Sequence, residues 1–228
     1  MLSESVPVVT IDGPGGSGKG TVSLLLAERL GWHFLDSGAL YRLVAVAAMD
    51  SAIEPHDEAA LTVLAGELDV EFAIRDHALV VLMHAKRVED KLRSEDVSVF
   101  ASRVAALAGV RQALVGRQRN FRRRPGLVAD GRDMGTVIFP DADLKIYLTA
   151  SAEERANRRH KQLKEKGESV NLSRLFHDIE ERDERDRSRG IAPLRPAEDA
   201  HIIDSTELSI EMVLQEIMKL LKESKVTN

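Results

Sequence analysis

Apolar positions along this chain fall into two kinds of run. Val6–Ile11 is a short, β-branched run that stops at glycine, the mark of a buried strand. Thr21–Leu30 then repeats apolar residues at helical spacing. Trp32–Leu35 predicts a second strand and Leu40–Met49 a second helix. Further on, Gly126–Ala129 and Lys145–Leu148 are strand-like, each leading through a turn into a more polar, helical stretch. Ile202–Ile203 predicts a last short strand, and Asp204-Ser205-Thr206 behind it predicts a cap for a helix over Leu208–Lys222. Strands alternating with helices at both ends of the chain predict an α/β fold, a parallel central sheet covered by helices.

The middle of the chain breaks this alternation. Leu68–Ile74 and Leu79–Met83 are strand-like runs separated by Arg75-Asp76-His77, with a third, weaker strand near Arg87–Val88. A parallel sheet has no use for such a meander, so it reads as an insertion beside the sheet, followed by helical segments from about Ser94 to Arg124. Residues 151–190 hold 11 Lys and Arg against 10 Asp and Glu. As structure this predicts a solvated helix pair laced by i,i+4 ion pairs; as function it predicts a mobile, charged lid. Only the residues from about Ser224 to Asn228 read as a disordered tail.

Composition narrows the picture. A chain of 228 residues with 43% apolar and 4% aromatic side chains suits one domain with an insertion and a core of Leu, Val, Ile and Ala. The absence of cysteine removes disulfides, Cys-based zinc sites and thiol catalysis. The seven histidines show no metal-ligand spacing, so no protein-held transition metal is expected. The longest apolar runs, such as Leu43–Met49, fall far short of the roughly 18 residues that a spanning helix needs. The start, Met1-Leu2-Ser3-Glu4, has no basic segment leading into an apolar one. A cytoplasmic protein with no membrane partner is the expectation.

The net charge of −5 argues against a generally basic nucleic-acid binder. One local exception is Arg117–Arg124, five arginines around Phe121, which could bind phosphates and stack a base. The run also ends a predicted helix, where cations complement the dipole. Nucleic acid is therefore not expected as a partner.

Gly13-Pro14-Gly15-Gly16-Ser17-Gly18-Lys19-Gly20-Thr21, between a predicted strand and a predicted helix, carries the most information. Glycines let a backbone fold around phosphates and turn its N–H groups inward, and the following helix aims its positive end at the same anion. Lys19 would reach the terminal phosphates, where charge spreads during transfer. The pattern G-x-x-x-x-G-K-[ST] is met except that Gly20 takes the hydroxyl position and Thr21 follows, so any Mg²⁺ contact falls to Thr21 or to water. A chance match in a chain of this length arises on the order of twice in ten thousand. Binding of a nucleoside triphosphate follows.

A phosphate loop alone does not separate kinases from GTPases, motors or nucleotide switches. Arg42 follows the second predicted strand, and Arg132 lies in Asp130-Gly131-Arg132-Asp133 at the end of another, both where ligands of parallel sheets bind. Arg182, Arg185 and Arg189 fall at spacings of three and four and so are expected on one helix face. Arg155, Arg158 and Arg159 make a similar cluster. Several arginines around a phosphate loop favour an acceptor that is itself phosphorylated, because the planar guanidinium binds phosphate through two parallel hydrogen bonds. A hydroxyl acceptor would instead need a carboxylate base. Asp36 and Asp133 could serve, so that alternative stays open on chemistry alone.

Taken together, Ile11–Thr21, Leu35-Asp36-Ser37-Gly38-Ala39-Leu40-Tyr41-Arg42, Ala129-Asp130-Gly131-Arg132-Asp133-Met134-Gly135-Thr136-Val137, Glu181-Arg182-Asp183-Glu184-Arg185-Asp186-Arg187 and Asp204-Ser205-Thr206 resemble the bacterial-type cytidylate kinases over nearly the whole chain. The resemblance implies a three-layer P-loop kinase with a small monophosphate-binding insertion at 63–103 and a helical lid at 151–190, the core being 1–62, 104–150 and 191–228. It implies ATP and CMP or dCMP as partners, Mg²⁺ bound with ATP, and a monomer.

The same resemblance assigns roles. Gly13, Pro14, Gly15, Gly16, Ser17, Gly18, Lys19, Gly20 and Thr21 would hold ATP, with Arg158 and Arg189 on its phosphates once the lid closes. Arg42, Arg132 and Arg182 would hold the acceptor phosphate, Arg132 and Arg182 with Lys19 and Asp130 making the catalytic set. Ser37, Ser102, Arg111 and Asp133 would read cytosine, whose amine donor suits Asp133 and whose acceptor edge suits Arg111. Asp186 would contact the sugar, and Thr21 and Asp130 would meet Mg²⁺, Asp130 through water. A kinase of another nucleoside monophosphate, and a nucleotide switch without acceptor chemistry, remain the competing readings. For Arg132 and Asp133 the plain structural alternative is a pair with each other, and for Arg42 a surface ion pair.

Overall fold

The computed structural model describes residues 6–75, 78–83, 85–92, 94–165 and 167–224. The turn expected at Asp76-His77 and the tail expected over 225–228 lie outside the described residues. The chain forms two compact units, one of residues 1–7 and 24–130, the other of residues 8–23 and 131–228.

The second unit is built on three parallel strands. Val8–Asp12 (β1) pairs with Leu144–Thr149 (β7), which pairs in turn with His201–Asp204 (β8). All five residues of β1 are buried, as a β-branched run covered on both faces must be. A glycine-rich loop leads from β1 to the helix Lys19–Leu30 (α1), whose first turn belongs to this unit. The charged stretch folds as the expected helix pair, Ala152–Glu165 (α7) against Leu172–Ser188 (α8). Its i,i+4 pairs include Arg158–Glu154 at 2.8 Å. Ile11, Met134, Phe139, Ile146 and Leu148 are fully buried here.

The first unit carries His33–Asp36 (β2), paired in parallel with Leu127–Gly131 (β6). The expected meander is present: Val70–Arg75 (β3), Ala78–Met83 (β4) and the short Lys86–Arg87 (β5) pair antiparallel in that order. Ser37–Asp50 (α2) packs on Glu95–Val104 (α5), and Glu58–Glu67 (α3) on Ala108–Arg119 (α6), with the short Glu89–Leu92 (α4) between β5 and α5. The α3–α6 crossing is close: a Cβ on Gly109 would stand 2.4 Å from Thr62 Oγ1. Parallel strands covered by helices make the fold the α/β class that the alternation predicts.

Two expectations are corrected. The last helix is Ile210–Glu223 (α9), capped by Ser209, whose hydroxyl accepts from the Met212 amide at 3.2 Å. The expected cap does other work: Asp204 Oδ1 accepts from the amide and hydroxyl of Thr206. On α8, Arg185 is exposed, while Asp183 and Asp186 are buried and Arg182 is half-buried. The helix ends at Ser188, and Arg189 follows it with extended backbone (φ −61°, ψ 135°), so the three arginines do not form one helical face. Helix α3 has no counterpart among the predicted elements. Among the described residues, no single helix is long and apolar enough to cross a membrane.

Candidate active site

In the second unit the phosphate loop is shaped by contacts that only glycine tolerates. A Cβ on Gly13 would stand 2.0 Å from the carbonyl oxygen of Leu148, inside β7. Gly16 has φ +81°, and a Cβ there would press at 3.1 Å on Arg155. Ser17 Oγ and Lys19 Nζ each donate to the carbonyl of Pro14, both at 3.1 Å, which draws the loop into a ring. No acidic residue lies in the first turn of α1, so the positive end of its dipole is left to whatever the loop holds.

Asp12 closes β1 immediately before this loop. Its two carboxylate oxygens accept from the amides of Met134 and Gly135, each at 2.8 Å, at the start of a π-helical turn over Met134–Ile138. That fixes the residues just before the turn, Arg132 and Asp133, relative to the end of β1. The signal for this role in the sequence is a carboxylate that ends a buried strand.

The arginines then converge. Arg132 Nη2 lies 3.5 Å and Arg182 Nη1 4.0 Å from the point where a Cβ on Gly15 would sit. Arg132 Nε donates to Asp186 Oδ2 at 2.9 Å. Burial works against the charge on Asp186, but Arg132, through charge and hydrogen bond, with Arg182 and Arg189 behind it, outweighs this and holds the carboxyl below its ordinary pKa. Asp133 is buried and faces Arg189 Nη2 at 3.9 Å. Arg158 reaches the loop as well, donating to Ser17 O at 3.3 Å and to both the hydroxyl and the carbonyl of Ser205. Of the two arginines expected on ATP, Arg158 therefore sits on the phosphate loop and Arg189 beside Asp133.

One residue of this unit was seen only as a member of a cluster. Arg155 is buried and uses all three ends of its fork: Nε to Ala150 O at 3.0 Å, Nη1 to Gly15 O at 3.1 Å, and Nη2 to Asp183 Oδ2 at 2.6 Å. It ties the phosphate loop to α7 and α8 together. Nothing in the sequence announces the pairing, since Arg155 and Asp183 stand 28 positions apart. Burial first, then the charge of Asp183, raises the hydroxyl pKa of Tyr147 in β7, so this group stays neutral.

The first unit holds the remaining predicted residues. Asp36, at the end of β2, caps α2 by accepting from the Ala39 amide at 2.8 Å and pairs its other oxygen with Arg42 Nη2 at 2.8 Å. Ser37 is buried beside it. The Arg111 guanidinium is buried, donates to Ala105 O at 3.1 Å and stands 5.7 Å over the ring of Tyr41. Ser102 offers a buried hydroxyl with no hydrogen-bond partner among the described residues, an unmet demand that a ligand could meet. Asp130, buried at the end of β6, stands in register with Asp36 across the strand pair.

Comparison with known proteins agrees with this chemistry. A family model described as cytidylate kinase matches residues 9–223. The chain is 62% identical over 219 residues to a cytidylate kinase of Stutzerimonas stutzeri, covering 95% of this chain and 96% of that one. It is 57% identical over 220 residues to a cytidylate kinase of Pseudomonas aeruginosa, with 96% of each covered. To one of Klebsiella pneumoniae it is 53% identical over 222 residues, covering 97% of this chain and 98% of that one.

Proposed function

The chain belongs to the cytidylate kinase family, and from that premise we propose that it moves the γ-phosphoryl group of ATP onto CMP and dCMP, releasing ADP with CDP or dCDP. The observation that carries the reading is the approach of Arg132 and Arg182 to Gly15. Two guanidinium groups at a phosphate loop suit a second, phosphorylated substrate, where a hydroxyl acceptor would call for a base. The acceptor phosphate is already an anion. The protein's task is to align it in line with the donor and to hold positive charge where negative charge accumulates.

In this reading Gly13–Thr21 cradle ATP and Lys19 swings from Pro14 O to its terminal phosphates. Arg42, Arg132 and Arg182 hold the acceptor phosphate, Arg132 being oriented through its Nε by Asp186, which also meets the sugar. Ser37, Ser102, Arg111 and Asp133 read cytosine. Uracil would set an oxygen against the Asp133 carboxylate, leaving buried polar groups unpaired, and is rejected on that ground. Arg158 and Arg189 close on the ATP phosphates as the lid, residues 151–190, excludes water; residues 63–103 make the acceptor-binding insertion. Mg²⁺ enters as part of the ATP complex, and Thr21 and Asp130 offer the hard oxygen donors it favours, neutralising phosphate charge. We further propose a monomer working in the cytoplasm.

The reading is tested by substrate selectivity in variants. Asp133→Ala should lower kcat/KM for CMP by about 10- to 100-fold and narrow the gap between CMP and UMP, with the KM for ATP unchanged. A variant that keeps the CMP preference removes Asp133 from base reading.

A further inference from the structure

The arginine run Arg117–Arg124 is the one motif singled out in the sequence that phosphoryl transfer leaves without a role. Within the first unit it forms a wall of a recess of about 460 Å³, a size suited to one small organic molecule. Arg117, Phe121 and Arg123 come from this run, and Phe72 of β3 and His33 of β2 join them. No Asp or Glu is among the lining residues.

Two features of the wall complement each other. Phe72 and Phe121 meet edge to face, with ring centroids 5.4 Å apart at 70°, and present apolar ring surface. His33 Nε2 lies 2.9 Å from the carbonyl oxygen of Arg124, so that nitrogen carries the proton. The helix dipole explains part of the basic run: Arg123 Nε donates to Asn120 O, at the end of α6, at 2.9 Å. Arg122 is used elsewhere, donating to Val6 O at 2.7 Å. Arg117 is different. The residue is half-buried, and its guanidinium makes no hydrogen bond or ion pair among the described residues. Withdrawing such a group partly from water without a counter-charge is unfavourable, and an anion in the recess offsets it.

We propose that this recess binds a free nucleoside phosphate, separately from the phosphoryl-transfer residues. Arg117 and Arg123 would take the phosphate, whose oxygens match the guanidinium fork, and Phe72 and Phe121 would take the flat base. A single nucleotide is favoured over a nucleic-acid strand because the chain carries a net charge of −5, which repels a polyanion.

Amide NMR titration of the full chain with UDP and ADP tests this directly. The amides of Gly66, Asn120 and Phe121 should shift saturably in the native chain. In Arg117→Gln/Arg123→Gln their affinity should fall about tenfold or more, while the shifts of Gly15 and Gly18 persist. Arg117→Lys alone, which keeps the charge and loses the fork, should weaken binding by about threefold to tenfold with the fold untouched. The proposal is overturned by no shift at those three amides at millimolar nucleotide. Inorganic phosphate alone binding as well as UDP removes the base from the site, and a uridine oligonucleotide binding tenfold tighter than UDP transfers it to nucleic acid.

Discussion

At the scale of single residues, the buried pair Arg155–Asp183 holds the candidate site together. Both side chains are only 5% exposed, so removing one leaves a charge in a dry place. Asp183→Ala should therefore cost about 3–5 kcal/mol, read from urea unfolding. Replacing both by Met and Leu should cost far less, because no lone charge remains. A loss below about 1 kcal/mol for the single variant would mean that water reaches the pair. Asp186 sets a pH signature. Its folded-state pKa is depressed by Arg132 against the opposing effect of burial, so its contribution to stability is complete above the ordinary Asp value of about 3.9. That contribution is lost as pH falls through the depressed value. The stability gap between the native chain and Asp186→Asn should be flat above about pH 5 and shrink below pH 4. A gap that widens in acid would contradict the pairing. Such partners are hard to read from sequence: Arg132 and Asp186 were each visible as chemistry, but not as each other's neighbours across 54 positions.

At the scale of elements, short apolar runs bounded by turn residues are legible in the sequence, and a helix with no apolar stripe is not. The β1, β2, β6 and β7 strands begin and end within two residues of expectation, since short apolar runs between turn residues have few alternatives. Helix α3 reads Glu-Ala-Ala-Leu-Thr-Val-Leu-Ala-Gly-Glu, apolar almost all round, with Leu61 and Ala65 buried and Val63 exposed, so no 3.6-residue stripe stands out. On α8 the spacing of Arg182, Arg185 and Arg189 suggests one face, but the helix ends at Ser188 and Arg185 is exposed. The phosphate loop was the most legible element, because its shape depends on glycine at stated places. Gly13→Ala would force a Cβ to within 2.0 Å of the Leu148 carbonyl oxygen, so the strand end or the loop must move. Thermal unfolding should show a loss of about 1–3 kcal/mol with ATP affinity reduced. An unchanged melting temperature would mean that the loop does not approach β7 as described.

At the scale of the whole molecule, the α/β class followed from alternating runs and the meander from their interruption. The candidate site was legible as residue types, a glycine-rich loop with arginines and carboxylates at strand ends, to which the proposed function gives roles. What the one-dimensional pattern lacked was the set of buried supports, Asp12 on the Met134–Ile138 turn and Arg155 between the loop and α8, which become visible only when distant residues meet. The central claim is phosphoryl transfer to a cytosine nucleotide. It is tested most directly by supplying ATP and Mg²⁺ with CMP, dCMP, UMP, AMP, GMP and dTMP in separate reactions and identifying the products. The account predicts CDP and dCDP, with kcat/KM at least about 100-fold above that for AMP, GMP or dTMP, and UMP a weaker substrate than CMP. Equal turnover of all six, or ATP bound with no transfer to any, would contradict it.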